Sequence, residues 1–185
     1  MKKLSLIMLL SMFTLAACGT EETIMYIKPS EFSGETTKVL GLFDDELYFF
    51  DFVVDETVKS KEIVFWVYEN NKWIEAGKVY GNVGSLEQQL ILSFRGMGCE
   101  IHLVDETGSS AFSYPQFNTD FDSALSVGWT SLSYETEIEL NQEIPIYIKT
   151  GTDKMDSHSM ADDFRTQYCT TGLAVTVTFS DKIVD

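Results

Sequence analysis

The sequence predicts an all-β domain, two antiparallel sheets packed as a sandwich, and three observations predict it. Apolar residues recur at every second position through a series of short runs, the period of a strand with one face buried. Asn, Asp, Gly and Ser gather between those runs, where the chain has to reverse. No stretch carries a long apolar stripe at helical spacing, and no internal repeat occurs, which argues against helical bundles and solenoids. A closed β-barrel is the alternative arrangement of the same strands.

Taken in order, Ile24 to Lys28 is the first strand expected. Glu46 to Val54 sets Tyr48, Phe50, Phe52 and Val54 on one face and Leu47, Phe49 and Val53 on the other, as a central strand would. Lys61 to Glu69 alternates Ile63, Phe65 and Val67 with Val64, Trp66 and Tyr68. Asn70-Asn71 then reverses the chain into Lys72 to Tyr80, because asparagine tolerates left-handed turn conformations. Leu86, Leu90, Leu92 and Phe94 line the next run, with Gln88 interrupting, and Gly96 and Gly98 end it. Cys99, Ile101 and Leu103 follow, alternating with Glu100 and His102. Residues 105–110 read as a turn, and 111–127 as irregular, since Pro115 argues against a long strand. Tyr134, Thr136, Ile138 and Leu140 are expected opposite Glu135, Glu137 and Glu139. Ile144, Ile146 and Ile148 are expected to share a face, with Pro145 marking an edge strand or a strand start. Residues 151–166 read as a polar loop with one helical turn near Met160 to Phe164. Leu173, Val175, Val177 and Phe179 point inward from the last strand, Thr176 and Thr178 outward.

The first eighteen residues, MKKLSLIMLLSMFTLAAC, stand apart from this pattern. Lys2 and Lys3 precede an uncharged run from Leu4 to Ala17, shorter than the roughly 20 residues a membrane-crossing helix needs. A basic start, a short apolar run and a small-residue finish are the marks of a secretory leader. The end, Leu15-Ala16-Ala17-Cys18-Gly19, resembles the lipobox of bacterial lipoproteins. That resemblance implies cleavage before Cys18, a diacylglycerol on its thiol, and often a further acyl chain on the new N-terminus. It covers the leader alone. It divides the chain into a signal peptide at 1–17, a lipidated tether at 18–22 and one β-sandwich domain at 23–185. The tether spans at most about 18 Å, so the domain is expected close to the extracytoplasmic face of the cell membrane.

Charge narrows the partners further. The whole chain carries 13 Lys and Arg against 29 Asp and Glu, a net −16, and the leader holds two of the lysines and no acid. Such a surface repels nucleic acid and anionic lipid alike. Besides Cys18 there are two cysteines, Cys99 and Cys169. An oxidising compartment lets them pair as a disulfide, and two buried free thiols are the alternative.

Candidates for chemistry are few. Trp66, Tyr68, Trp73 and Tyr80 leave aromatics on both faces of a hairpin that should keep one face polar, which suggests an exposed strip suited to a sugar ring, a peptide or another protein, unless a loop or adjoining strand covers it or the strand is buried on both sides. Asn118, Asp120 and Asp122 alternate like the start of a calcium loop. Ser123 and Trp129 stand where an EF-hand needs Gly and Glu. Asp153, Asp156, His158, Asp162 and Asp163 crowd the 151–166 loop, as a weak divalent-ion site or a solvated acidic loop would. No nucleophile elbow, Ser-x-x-Lys pair or His-Glu-x-x-His helix occurs, no cofactor is implied, and no catalytic residue is nominated. The leading expectation is a membrane-anchored binding or structural module that engages an envelope protein or glycan. An envelope glycan or peptide hydrolase and a solute-binding lipoprotein are the alternatives, the latter usually a larger protein of two α/β lobes.

Overall fold

The computed structural model of the protein describes residues 24–43, 46–96, 98–114, 116–155 and 163–184. The elements in chain order are β1 (Tyr26–Pro29), α1 (Gly34–Leu40), β2 (Glu46–Val53), β3 (Ser60–Glu69), β4 (Lys72–Asn82), β5 (Glu87–Arg95) and β6 (Gly98–Asp105). They continue with β7 (Gly108–Tyr114), β8 (Ser126–Ser131), β9 (Thr136–Glu137), β10 (Glu143–Thr152), a 3₁₀ turn (Phe164–Thr166) and β11 (Thr171–Ser180). Six strands form one sheet in the order β7-β6-β5-β2-β1-β9, and five form the other in the order β4-β3-β11-β10-β8. Neighbouring strands run antiparallel. Each sheet keeps two free edges, so the domain is a sandwich and not the alternative closed barrel.

The inward faces follow the period-two pattern. Phe50 and Phe52 of β2 and Leu90 and Leu92 of β5 meet Ile63 and Phe65 of β3 and Val175, Val177 and Phe179 of β11, all essentially inaccessible to solvent. Phe52 and Phe179 touch across the layers with centroids 5.1 Å apart. Asn70 and Asn71 both take positive φ, 52° and 62°, the type I′ geometry that closes a two-residue hairpin.

Two bulges shift the strand registers, and the one in β10 alters the expected faces. In β10 the register shifts between Pro145 and Tyr147, turning Tyr147 into the core at 1% exposure and Ile148 out of it. The three isoleucines therefore do not share a face. Pro145 is not on an edge strand: β10 lies between β11 and β8, and its paired register with β8 begins only at Tyr147. In β4 the extra residue is Ala76, because Phe65 pairs with Gly77 and Trp66 with Glu75. The Tyr114 hydroxyl donates to the Ala76 carbonyl, and the Tyr114 ring lies so close over Gly77 that a Cβ there would overlap it. This clasp joins β7, the edge of one sheet, to β4, the edge of the other.

Other expectations shift as well. The turn at 105–110 is shorter, with Asp105 Oδ1 accepting from the Thr107 and Gly108 amides and β7 beginning at Gly108. The run at 134–140 supplies only the two residues of β9, and Tyr134 is exposed. α1 was not expected. It buries no side chain, and Ser33 caps it by accepting from the Thr36 amide at 3.2 Å. Cys18, where lipidation is expected, and the loop residues Asp156, His158 and Asp162 lie outside the described residues, as do Pro115 and most of the helical turn expected at 160–164.

Candidate functional site

The outer face of the β4-β3-β11-β10-β8 sheet answers the question of the aromatic strip. Trp66 and Trp73 point outward, but the 3₁₀ turn lays Phe164 over them. Phe164 is 0% exposed, edge-on to Trp73 at 4.8 Å and tilted against Trp66 at 6.5 Å. The Arg165 guanidinium lies 4.3 Å above the Trp66 ring and pairs with Glu143 at 2.8 Å. Trp66 Nε1 donates to Glu143 Oε1 and to Thr176 Oγ1, each at 3.1 Å. Beneath, Gly172 gives the Trp73 ring room, since a Cβ there would come within 2.5 Å of it. Thr176, expected outside, is buried by this cover at 0%. Tyr68 packs on Trp73 at 5.6 Å, and Tyr80 stands exposed near the other end of β4. The four rings are thus a covered cluster and one isolated tyrosine, not a continuous binding strip.

The two cysteines are separate free thiols rather than a disulfide. Cys99 lies on β6, paired with Phe94 and Tyr114, while Cys169 precedes β11 in the other sheet. Burial pushes the Cys99 thiol up to about 12 and the Cys169 thiol up to about 11, so both stay protonated and act as small apolar groups.

Among the described residues, no group of three or more His, Cys, Asp or Glu is placed to hold a metal ion. Asp120 Oδ1 accepts from the Ser123 amide at 3.2 Å, a turn-stabilising contact. Asp153 accepts from the Tyr168 hydroxyl at 2.8 Å, and Asp163 caps the 3₁₀ turn through the Arg165 amide at 3.0 Å. Of the histidines, His102 faces Glu100 at 3.5 Å on the outer side of β6.

Asn118, Asp120 and Asp122 nevertheless come together at one place. They border a cleft of about 890 Å³ at one end of the sandwich, walled by the start of β2, the β5–β6 turn, the 117–123 loop and β10. The β10 bulge supplies its floor. Tyr147 packs against Phe94 at 4.4 Å and Tyr48 at 4.9 Å, and its hydroxyl donates to Glu46 Oε2 at 3.3 Å. Lys149 donates to Glu46 Oε1 at 3.4 Å, with its ammonium 5.1 Å from the Phe121 ring centroid. Burial, then the neighbouring Glu46 carboxylate, drives the Tyr147 hydroxyl far above the ordinary tyrosine range, so it remains a donor. The cleft offers an aromatic floor, one ion pair and a rim of carboxylates and amides. That set suits directional hydrogen bonding to a polar partner with one flat apolar side.

Sequence reasoning did not find Glu46, Tyr147 or Lys149 as site residues. Only the bulge places Tyr147 and Lys149 on the inner side, and alternation alone puts Tyr147 outside. No protein-family model, curated protein or solved structure matches the chain.

Proposed function

We propose that this chain is a lipid-anchored lipoprotein of the extracytoplasmic face of the cell membrane, working as a binding module whose end cleft captures an envelope protein segment or glycan. The observation that carries the reading is where the cleft lies relative to the chain's entry. β1 begins at Tyr26, beside Val53 at the end of β2, whereas the cleft opens around Glu46 at the start of β2. Seven strand residues separate the two, roughly 23 Å along the sheet. That separation supports a reading in which a tether at Cys18 holds the cleft on the end of the domain remote from lipid. The leader supports anchorage independently: two or three acyl chains, at about 0.8 kcal/mol per buried methylene, hold a domain firmly. Among the described residues no helix is long and apolar enough to cross a membrane.

The test has two arms. Cys18→Ala should abolish palmitate incorporation and move the protein out of the membrane fraction. Pull-down of envelope protein and glycan with the full-length protein should capture a partner that Lys149→Glu, which sets two carboxylates against each other at the cleft floor, releases. Retention of Cys18→Ala with membranes, together with a parent that takes up no palmitate, refutes the anchor. An identical capture profile from Lys149→Glu refutes the cleft.

A further inference from the structure

A second cavity, of about 380 Å³, lies between the layers at the opposite end of the sandwich and shares no lining residue with the cleft. Lys61 of β3 enters it from the five-stranded sheet. It occupies the inward parity of Ile63 and Phe65, and it is 4% exposed. Among the described residues its ammonium has no hydrogen bond or ion pair. The Phe52 ring centroid is 5.9 Å away, and Asp105 attracts it only at longer range. Gln88 of β5 faces it from the other sheet. Gln88 Nε2 donates to Asp105 Oδ2 at 3.2 Å, which fixes the amide orientation because a carboxylate only accepts. Gln88 Oε1 is thereby turned into a buried position where it has no donor. Asp105 Oδ1 is itself occupied by the Thr107 hydroxyl and the Thr107 and Gly108 amides.

One cavity is thus bordered by two side chains with open hydrogen-bonding capacity: the Lys61 ammonium, with no protein acceptor among the described residues, and the buried Gln88 carbonyl, with no donor. Leaving the buried Gln88 carbonyl unmade costs more than a typical hydrogen bond contributes. A hydroxyl meets both demands with one atom, accepting from Lys61 and donating to Gln88. A carboxylate leaves Gln88 Oε1 unpaired and sits beside Asp105 in a chain of net charge −16. A cation is opposed by Lys61 itself. Ser109, Ser110 and Asn82 add small polar groups to the wall, and Phe112, 39% exposed, adds an aromatic ring on β7. Polar groups on several sides with one flat apolar surface match a hydroxylated ring.

We propose that the Lys61–Gln88 cavity is a binding site for a neutral sugar residue, one hydroxyl of which bridges the Lys61 ammonium and the Gln88 carbonyl. The site is independent of the cleft reading.

The experiment is a ¹H–¹⁵N NMR titration of the full-length protein in detergent micelles, with methyl glucoside, sodium acetate and methylammonium as separate probes. Methyl glucoside should produce saturable shifts at the Gln88 side-chain amide and at the Ser109 and Ser110 backbone amides, and the two ionic probes should not. Lys61→Met, which keeps the apolar stem, and Gln88→Leu should each weaken binding about tenfold or more, with well-dispersed spectra showing that both fold. If one variant fails to fold, the other carries the comparison. Absence of saturable shifts with the sugar overturns the proposal, as does binding of acetate in its place or sugar binding that neither variant changes.

Discussion

Phe164 is the residue whose removal most directly tests how the outer face is held. Its ring is fully buried, edge-on to Trp73 and tilted against Trp66, so Phe164→Ala removes the centre of the cover and leaves both indoles facing a gap. Truncating a buried Phe to Ala costs about 3–5 kcal/mol. The 3₁₀ turn that carries it is only three residues long, and such a short segment settles partly into the space. The lower end, about 3 kcal/mol, is therefore expected. For a domain of this size that corresponds to a fall in Tm of about 6–12 °C. Urea unfolding gives the free energy directly. Tryptophan emission under native conditions should shift to the red as Trp66 and Trp73 gain water, above the constant contribution of Trp129, which is already 63% exposed. A loss under about 1 kcal/mol with unchanged emission would refute the view that Phe164 seals the aromatic cluster.

Three further outcomes are expected. Gly77→Ala places a Cβ against the Tyr114 ring and should destabilise by about 1–3 kcal/mol, the range for overpacking; calorimetry checks it, and the same change made in a Tyr114→Leu background should cost far less than in the parent. Lys61→Met should be more stable than the parent near neutral pH by about 1 kcal/mol, because it removes an ammonium that burial partly desolvates and that has no hydrogen-bond partner among the described residues. Burial lowers the Lys61 pKa from 10.5 despite the attraction of Asp105, so the unfolded chain holds the extra proton between the lowered value and 10.5. The parent must then gain on the variant as pH rises through that window, which paired urea melts from pH 7 to 11 will read. Finally, Cys99 and Cys169 should resist a soluble thiol reagent in the native state and both react after unfolding without reductant, which intact-mass measurement resolves. Recovery of a single unreactive pair would mean a disulfide.

Much of the architecture was legible because its signals are local. The Asn70-Asn71 hairpin needs only two residues that accept positive φ. β2 and β11 announce themselves by alternation long enough to outlast end effects. What escaped depends on non-local events. Nothing near Pro145 says that the register against β11 will slip, yet that slip turns Tyr147 inward and gives Ile148 to the outer cluster. α1 has no apolar face to detect, although Ser33 before Glu35 is a legible cap. β7 was hidden in a turn-like composition because its edge position leaves its side chains largely exposed. Which segment covers the aromatics escaped for a similar reason: Phe164 lies far along the chain from Trp66 and Trp73, and no spacing rule joins them. The cleft groups come from β2, a loop and β10, so no sequence window contains the set. Lys61 did carry a signal, a charge on the apolar parity of its strand.

The bulge at Ala76 also bears on crowding. Edge strands invite ladder formation between neighbouring molecules when they present a straight row of free amides and carbonyls. Along β4 the added residue offsets that row, and Tyr114 already occupies the Ala76 carbonyl. Lys78, bridged to Glu62 and Glu75, lines the same margin with charge. At the far side of the other sheet β9 contributes only two residues to pairing. Along these two margins, copies packed shoulder to shoulder would find little to zip together.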